Sequence, residues 1–484
     1  MEMAPNPAEN DVTAKLDGLW VYQLAWREPL DVARALADRS GFAFLDSAMF
    51  EPKLGRYSFI GLEPFGIFTA VGHRAAWNGV ALKAAPQEAL RDLLDRFSFI
   101  SDPALPPFQG GVIGAVPYEF GWEFDGLRGG RHAMEQDEPV SLGFYDLVLA
   151  FDHLLRRAYI FSSGLPEMSE KSRAARAAAR IDHVLALLEH PGRIATAPPA
   201  IRGWASNFTP AAYHAAIEDV QAHIFAGDIY QANIAQRFSA RLPEDFEPFG
   251  FYEKLRAANP APFAAYLNLG ETVIASSSPE LLLRKRGRAI ETRPIKGTIN
   301  RSPDPAKDAR RAQALLKSEK DRAENIMIVD LLRNDLSRVS EPKSVDVPVL
   351  CGLESYANVH HLVSVVTGEL AQDRDIVDLV AATFPGGSVT GTPKRRAMEI
   401  IDEIEKVSRG YYCGSILYIG FDGAMDMNIA IRTAVLKPGR ASLHAGGGIT
   451  SLSDPVAEYA ETEIKVKRLF EAFGAAEELE EAAQ

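Results

Sequence analysis

Apolar positions come first in short runs broken by turn residues, such as Gly41 to Leu45, Tyr57 to Gly61 and Leu147 to Asp152, which have the length and boundaries of strands. A helical period then runs through EKSRAARAAARIDHVLALLEH. The following stretch, HPGRIATAPPAIRGWASNFTP, has neither period and is rich in proline, glycine and small residues. It suggests a boundary: one domain over 16–190, a linker over 191–208 and a second domain over 209–472. Thr209-Pro210 is a cap with proline at the first helical position, and it opens the helix AAYHAAIEDVQAHIFAGD. Strands are expected at QANIAQRFSARL, FAAYLNLG, TVIASSS and LLLRKRG, then helices over about Pro305 to Leu316 and Glu319 to Asp335. Ser318 with Asp321 reads as a capping box for the second of these. GSILYIGF, NIAIRTAVLK and RASLHAGGG read as consecutive strands, and a last helix starts at Asp454-Pro455. Strand meanders alternating with helices predict a mixed α/β protein with largely antiparallel sheets. The first ~15 residues and the acidic end GAAEELEEAAQ read as loose termini.

Composition narrows the function. Of 484 residues, 47% are hydrophobic and 24% charged, as in ordinary globular proteins. Lysine and arginine number 52 against 65 acidic residues, a net charge of -13 that disfavours nucleic acid or an anionic membrane as the main partner. Cys351 and Cys413 are the only cysteines, too few for a disulfide framework or a cysteine metal site. The amino terminus lacks the apolar core of a secretory signal, and no apolar run is long enough to span a membrane. A cytoplasmic protein is expected.

Several residues carry chemical potential, each beside a plainer reading. Gly446, Gly447 and Gly448 precede the last helix and form either an anion cradle of backbone N–H groups or a simple turn. Glu458, Glu461 and Lys465 share a face of that helix, as ligands or as solvated charge. Glu324 continues into an apolar stripe through Ile328 and Leu331, so its carboxylate calls for a divalent cation or a buried arginine. Arg432, among apolar neighbours in NIAIRTAVL, suits a two-pronged grip on a carboxylate or an internal salt bridge. His360 and His361 are core histidines or hydrogen-bonding groups for a ligand. Glu280, ending SSSPE, becomes a general acid if burial raises its pKa. In RPIKGTINR, Lys296 sits before a Gly297-Thr298 turn and between Arg293 and Arg301, cations that would depress its pKa if close in space. It is a nucleophile or a surface lysine.

Taken together and in order, GDIYQANIAQRF, SSSPELLL, RPIKGT, RAENIMIVDLLRND, VHHLVSVVTGEL, FPGGSVTGTPKRRAMEII, YYCGSILYIG, NIAIRT, AGGGI and SDPVAEYAETEIK resemble the chorismate-utilising enzymes over roughly Thr209 to Phe470. FAFLDS, GRYSFIG and PFQGGVIGAVPYEFGWEF are similar to the amino-terminal domain of the ammonia-using members. The resemblance implies an anthranilate synthase component I-like fold: two mainly antiparallel sheets in a sandwich with flanking helices. Water-using members carry lysine where this chain has Gln231, so Gln231 implies ammonia. Anthranilate synthases read PIAGT where this chain reads Pro294-Ile295-Lys296-Gly297-Thr298, and the lysine version marks the branch making 4-amino-4-deoxychorismate for p-aminobenzoate and folate.

By the same resemblance, Mg2+ is the cofactor, held by Glu324, Glu458 and Glu461. Lys296 is the nucleophile toward ring carbon 2 of chorismate, and Glu280 protonates the departing 4-hydroxyl. Tyr412 and Arg432 hold the enolpyruvyl carboxylate with backbone N–H groups of the Gly446–Gly448 segment, and Ser388, His361 and Lys465 line the pocket. Neither cysteine lies on a nucleophile turn, so a separate glutamine amidotransferase subunit is the implied source of ammonia. The segments at Leu45-Asp46-Ser47 and GRYS resemble the region that forms a tryptophan pocket in relatives.

Overall fold

The computed structural model describes residues 14–16, 18–124, 138–189, 198–356 and 359–475. Two antiparallel sheets of 13 and 12 strands carry the fold. Along its length the larger sheet begins with Ala14–Leu16, Leu19–Leu24, Arg157–Ser162, Leu147–Asp152, Tyr57–Gly61 and Ala43–Asp46. It continues through Phe263–Asn268, Val273–Ser278, Thr433–Lys437, Arg440–Ile449, Gln231–Arg241 and Ala205–Ser206. The smaller sheet joins Gly111–Val116, Val140–Tyr145 and Gly66–Val71 to the later strands Ser415–Gly420, Met425–Asn428, Leu281–Arg286, Ala289–Arg293, Val359–Glu369 and Ile295–Asn300. Both sheets therefore take strands from either side of the Pro- and Gly-rich stretch.

Burial explains the layering. One core cluster lies between the sheets, where Phe59, Phe161, Ile274 and Val435 of the larger meet Ile113, Tyr145, Ile416 and Tyr418 of the smaller. A second packs helices Pro29–Leu36, Glu170–Glu189, Pro248–Ala258 and Pro455–Ala472 onto the outer face of the larger sheet. A third packs Pro86–Arg96, Glu319–Ser337 and Ile376–Thr383 onto the smaller. Strands buried on both faces such as VSLGFY and LVLAFD are mostly apolar, whereas the fully buried VIASSS ends in three serines next to Glu280.

Helix starts follow the sequence signals. Thr209 accepts from the Ala212 N–H at 3.2 Å, Ser318 from Asp321 at 3.2 Å and Asp454 from Ala457 at 2.9 Å. Pro248–Ala258, Ile376–Thr383 and Lys394–Glu405 are helices that the sequence reading did not identify. Residues 1–13, 191–197 and 476–484, which include most of the expected tails and part of the expected linker, lie outside the described residues. The described remainder, 198–208, is packed: Ile201 is buried and donates to the Phe473 carbonyl at 2.9 Å, and Trp204 lies against Phe470 and Phe473.

Three local readings change, each at the site. NIAIRTAVLK is not one strand: Met425–Asn428 belongs to the smaller sheet and Thr433–Lys437 to the larger, with the chain crossing between them. Arg432 sits at that crossing with a φ of 52°, left-handed backbone that is uncommon for a residue other than glycine. The Gly446–Gly448 triplet is no loop, but lies inside the strand Arg440–Ile449 opposite Ala235, Ile234 and Asn233. Gly297 does not turn the chain; the strand Ile295–Asn300 slips register against Val359–Glu369 between Ile295 and Thr298, and Gly297 takes a φ of 83° there.

Candidate functional site

Lys296 and Glu280 meet through one residue. The Lys296 ammonium donates to the Ser388 carbonyl at 3.0 Å, and the Ser388 hydroxyl donates to Glu280 Oε1 at 2.8 Å. Burial raises the Glu280 pKa, a shift that the Ser388 bond and the charge of Lys296 only partly offset. Burial lowers the Lys296 pKa, against the pull of Glu324 and Glu280 and with help from Lys465. The flanking arginines play no part in this: Arg293 pairs with Glu354, and Arg301 with Asp308 at 2.8 Å. With both arginines engaged by acids, desolvation, helped by Lys465, is what makes the amine easier to deprotonate.

The glycine strand makes room. A methyl group added to Gly448 would lie 2.3 Å from Gln231 Nε2 and 3.6 Å from Lys296 Nζ. Gln231 starts its strand fully buried, and among the described residues neither of its amide atoms has a hydrogen-bond partner. A buried amide left unsatisfied costs about 1–3 kcal/mol, so this one is poised for a guest. At Gly447 an added methyl would meet Glu458 Oε2 at 3.0 Å, Lys465 Nζ at 3.7 Å and Glu461 Oε1 at 3.8 Å. Lys465 donates to the Gly446 carbonyl at 2.7 Å and pairs with Glu461 at 2.7 Å.

The acidic residues converge from two helices. Glu458 is buried, accepts from the Ser453 hydroxyl at 2.7 Å and lies 3.8 Å from Lys320, in the first turn of the helix bearing Glu324. Burial, reinforced by neighbouring carboxylates, raises the pKa of both Glu324 and Glu458. At Glu461 burial acts the same way, but Lys465, Lys320 and Lys296 outweigh it and the pKa falls. Among the described residues no three acidic, histidine or cysteine side chains form a ready ligating cluster, and ammonium groups lie against two of these carboxylates, Lys320 against Glu458 and Lys465 against Glu461. The donors are nonetheless those a hard divalent cation selects: Glu458 and Glu461 face the space kept open by Gly447, and Glu324 feels the charge of Glu458 from the neighbouring helix.

His361 shares the Thr298 hydroxyl at 2.8 Å, and burial with the nearby Arg432 pushes its pKa down to about 4, leaving it neutral at pH 7. Arg432 has no carboxylate within ion-pair distance among the described residues; its nearest polar partner is Asn259 Oδ1 at 3.5 Å, and it feels the charge of Glu280. That removes the internal salt bridge as an explanation for it. Tyr412 is buried and stacked on His444 at 4.9 Å, with no described contact to Arg432. Thr298, Asn259, Ser453 and Lys320 join the site without having been singled out in sequence. Only Lys320, one turn before Glu324, has a spacing that could have flagged it.

A cavity of about 460 Å3 lies elsewhere, lined by Leu45, Ser47, Tyr57, Arg284, Asp426 and Asn428. No helix among the described residues is long and apolar enough to cross a membrane.

Comparison with known proteins gives this arrangement its context. The profile of the chorismate binding enzymes matches residues 47–471. Aminodeoxychorismate synthase component 1 of Klebsiella aerogenes is 43% identical over 364 residues, covering 75% of this chain and 77% of the relative. Anthranilate synthase component 1 of Streptomyces coelicolor is 38% identical over 450 residues, 91% of this chain and 85% of that one. The crystal structure of anthranilate synthase component I from Streptococcus pneumoniae superimposes with a TM-score of 0.77 at 30% identity, over 87% of this chain and 94% of that one.

Proposed function

This chain belongs to the chorismate binding enzyme family, and from that premise we propose that it is an aminodeoxychorismate synthase component I, converting chorismate and ammonia to 4-amino-4-deoxychorismate. The observation that carries the reading is the Lys296–Ser388–Glu280 chain, which joins an amine with a lowered pKa to a carboxyl with a raised one. Neutral Lys296 attacks carbon 2 of the chorismate ring; both ring double bonds shift, from C1=C2 to C6=C1 and from C5=C6 to C4=C5, as the carbon–oxygen bond at carbon 4 breaks. The hydroxyl leaves as water with the proton of Glu280, and the new secondary amine loses its own proton. Ammonia then adds at carbon 4, both double bonds shift back, and Lys296 departs from carbon 2 with a proton supplied by the site, to which the new ammonium gives up one of its own. Two allylic displacements replace one difficult substitution.

The unpartnered amide of Gln231 is an acceptor for the N–H bonds of ammonia but too weak a base to activate water. Arg432, free of an internal carboxylate, supplies a fork for the enolpyruvyl carboxylate, with Tyr412, His361, Lys465 and the Gly446–Gly448 strand as the remaining walls. Mg2+ is the proposed cofactor, with Glu324, Glu458 and Glu461 as its ligands; when bound it withdraws electron density through the ring carboxylate as a Lewis acid. Lys320 and Lys465 would have to give way to it.

Ammonia needs a source. Burial raises the thiol pKa of Cys351 and pushes that of Cys413 up to about 12, so neither is a reactive thiolate. A separate glutamine amidotransferase is therefore the proposed partner, and the cytoplasm the proposed compartment. The alternative product is anthranilate, given the likeness to anthranilate synthases. Incubating the protein with chorismate, an ammonium salt and Mg2+ and identifying the product by mass spectrometry decides between them. A product that added lyase converts to p-aminobenzoate supports the proposal; fluorescent anthranilate overturns it.

A further inference from the structure

Arg409 stands outside the reacting groups yet touches the supports of several. Its side chain is 1% exposed, and Nε and Nη2 donate to Glu405 at 2.9 and 2.6 Å. Nη1 donates to the Val389 carbonyl at 2.8 Å, and Nη2 also to the Asn233 carbonyl at 2.7 Å. Val389 ends the short turn Gly387–Val389 that carries Ser388, and Asn233 lies two residues along the strand from Gln231. Glu405 extends the link, accepting from the Ala235 N–H of the same strand at 2.8 Å. The guanidinium lies 4.6 Å from the Tyr118 ring and 6.0 Å from that of Tyr412. The Arg409 backbone is itself anchored, its N–H and that of Gly410 donating to Glu119 at 2.5 and 3.0 Å.

Three separate pieces of the site thus meet at one fork: the Gln231 strand, the Ser388 turn and Tyr412. A buried ion pair is poor evidence of stabilisation, because well-packed apolar residues of similar volume often serve the fold as well or better. A planar fork with fixed donor directions does offer geometry that an apolar side chain lacks. We propose that Arg409, held by Glu405, is a positioning residue that sets the spacing of Gln231, Ser388 and Tyr412, and through Ser388 the contact between Lys296 and Glu280. All three of its guanidinium nitrogens already donate to protein acceptors. The inference rests on the proposed function only where turnover is the readout.

The test replaces the pair together, Glu405→Met with Arg409→Met, so that no buried charge is left alone. The variant should melt within about 5 °C of the parent. Chorismate turnover should fall between about tenfold and 100-fold, mostly in kcat, the scale expected for a small misplacement. Acetylation of Lys296 by acetic anhydride, followed by peptide mass spectrometry, should become several-fold faster as its anchor on Ser388 loosens. That labelling does not depend on which product is made, so it holds even if the proposed reaction is wrong. Arg409→Lys, which keeps the charge but not the fork, should fall between parent and double variant in both readouts. A folded double variant with parental turnover and labelling overturns the proposal. So does a double variant that fails to fold, since the pair would then hold the fold rather than the site.

Discussion

Two charge-rich regions of this molecule differ in how their charges are spent. Around the cavity at Leu45 and Ser47 the two buried acids, Asp46 and Asp426, are each held by arginine. Asp46 accepts from Tyr252 at 2.8 Å and Arg256 at 2.6 Å, and Asp426 takes both Arg284 and Arg286 at 2.9 Å. Around Lys296 the reverse holds: among the described residues the Gln231 amide has no partner and Arg432 no carboxylate, and the pKa values of Glu280 and Lys296 are pushed toward each other. Paired charges lock a shape, whereas unpaired buried ones are tolerated where a ligand or a reaction completes them. The comparison thus separates a region expected to govern stability from one expected to govern chemistry.

Breaking the second region should have the largest effect. Lys296→Ala removes the proposed nucleophile and should lower chorismate turnover by about 10,000-fold or more without changing the melting temperature, measured on the purified variant. Glu280→Gln should cost between about 100-fold and 10,000-fold, the usual range for a positioned general acid. It also sharpens the assignment by pH. The parent needs neutral Lys296 and protonated Glu280, so its activity rises as the lysine deprotonates and falls as the carboxyl does. In Glu280→Gln the fall at high pH should vanish, and residual turnover should climb through a lysine pKa below the ordinary 10.5.

Breaking the first region should act on stability instead. Asp426→Asn leaves Arg284 and Arg286 without their carboxylate and should destabilise the fold by about 2 kcal/mol, read by denaturant titration, with turnover per folded molecule unchanged. A large loss of kcat from this change would erase the distinction. Gly448→Ala probes the boundary between the two kinds of effect. Its methyl group would press on Gln231, and about a tenfold loss in the apparent affinity for ammonia is expected with under about 3 kcal/mol of destabilisation.

What the sequence shows of this fold is mainly its punctuation. Thr209-Pro210, Ser318 and Asp454-Pro455 announce their helices because a cap is a local interaction, made within three residues. The strand NIAIRTAVLK misleads because alternation cannot register that the chain changes sheets between Asn428 and Thr433. Gly446 to Gly448 read as an anion cradle or a turn because the reason for glycine comes from distant elements, the Ile234–Ala235 backbone at Gly446, Glu458 at Gly447 and Gln231 at Gly448. A depressed lysine follows from the sequence only if Arg293 and Arg301 crowd it in space; both are engaged elsewhere, and burial, which no local pattern shows, is the cause. Residues of the candidate site span Gln231 to Lys465, so only the family's ordered motifs, not any local pattern, could link them before the fold was known.

The central claim is that Lys296 bonds to the chorismate ring, and intact-protein mass spectrometry in the absence of ammonia tests it most directly. The account predicts an adduct that maps to the peptide bearing Lys296, disappears on adding ammonium salt and never forms on Lys296→Ala. An adduct on another residue, or full-rate amination with none detectable on rapid quenching, would contradict it.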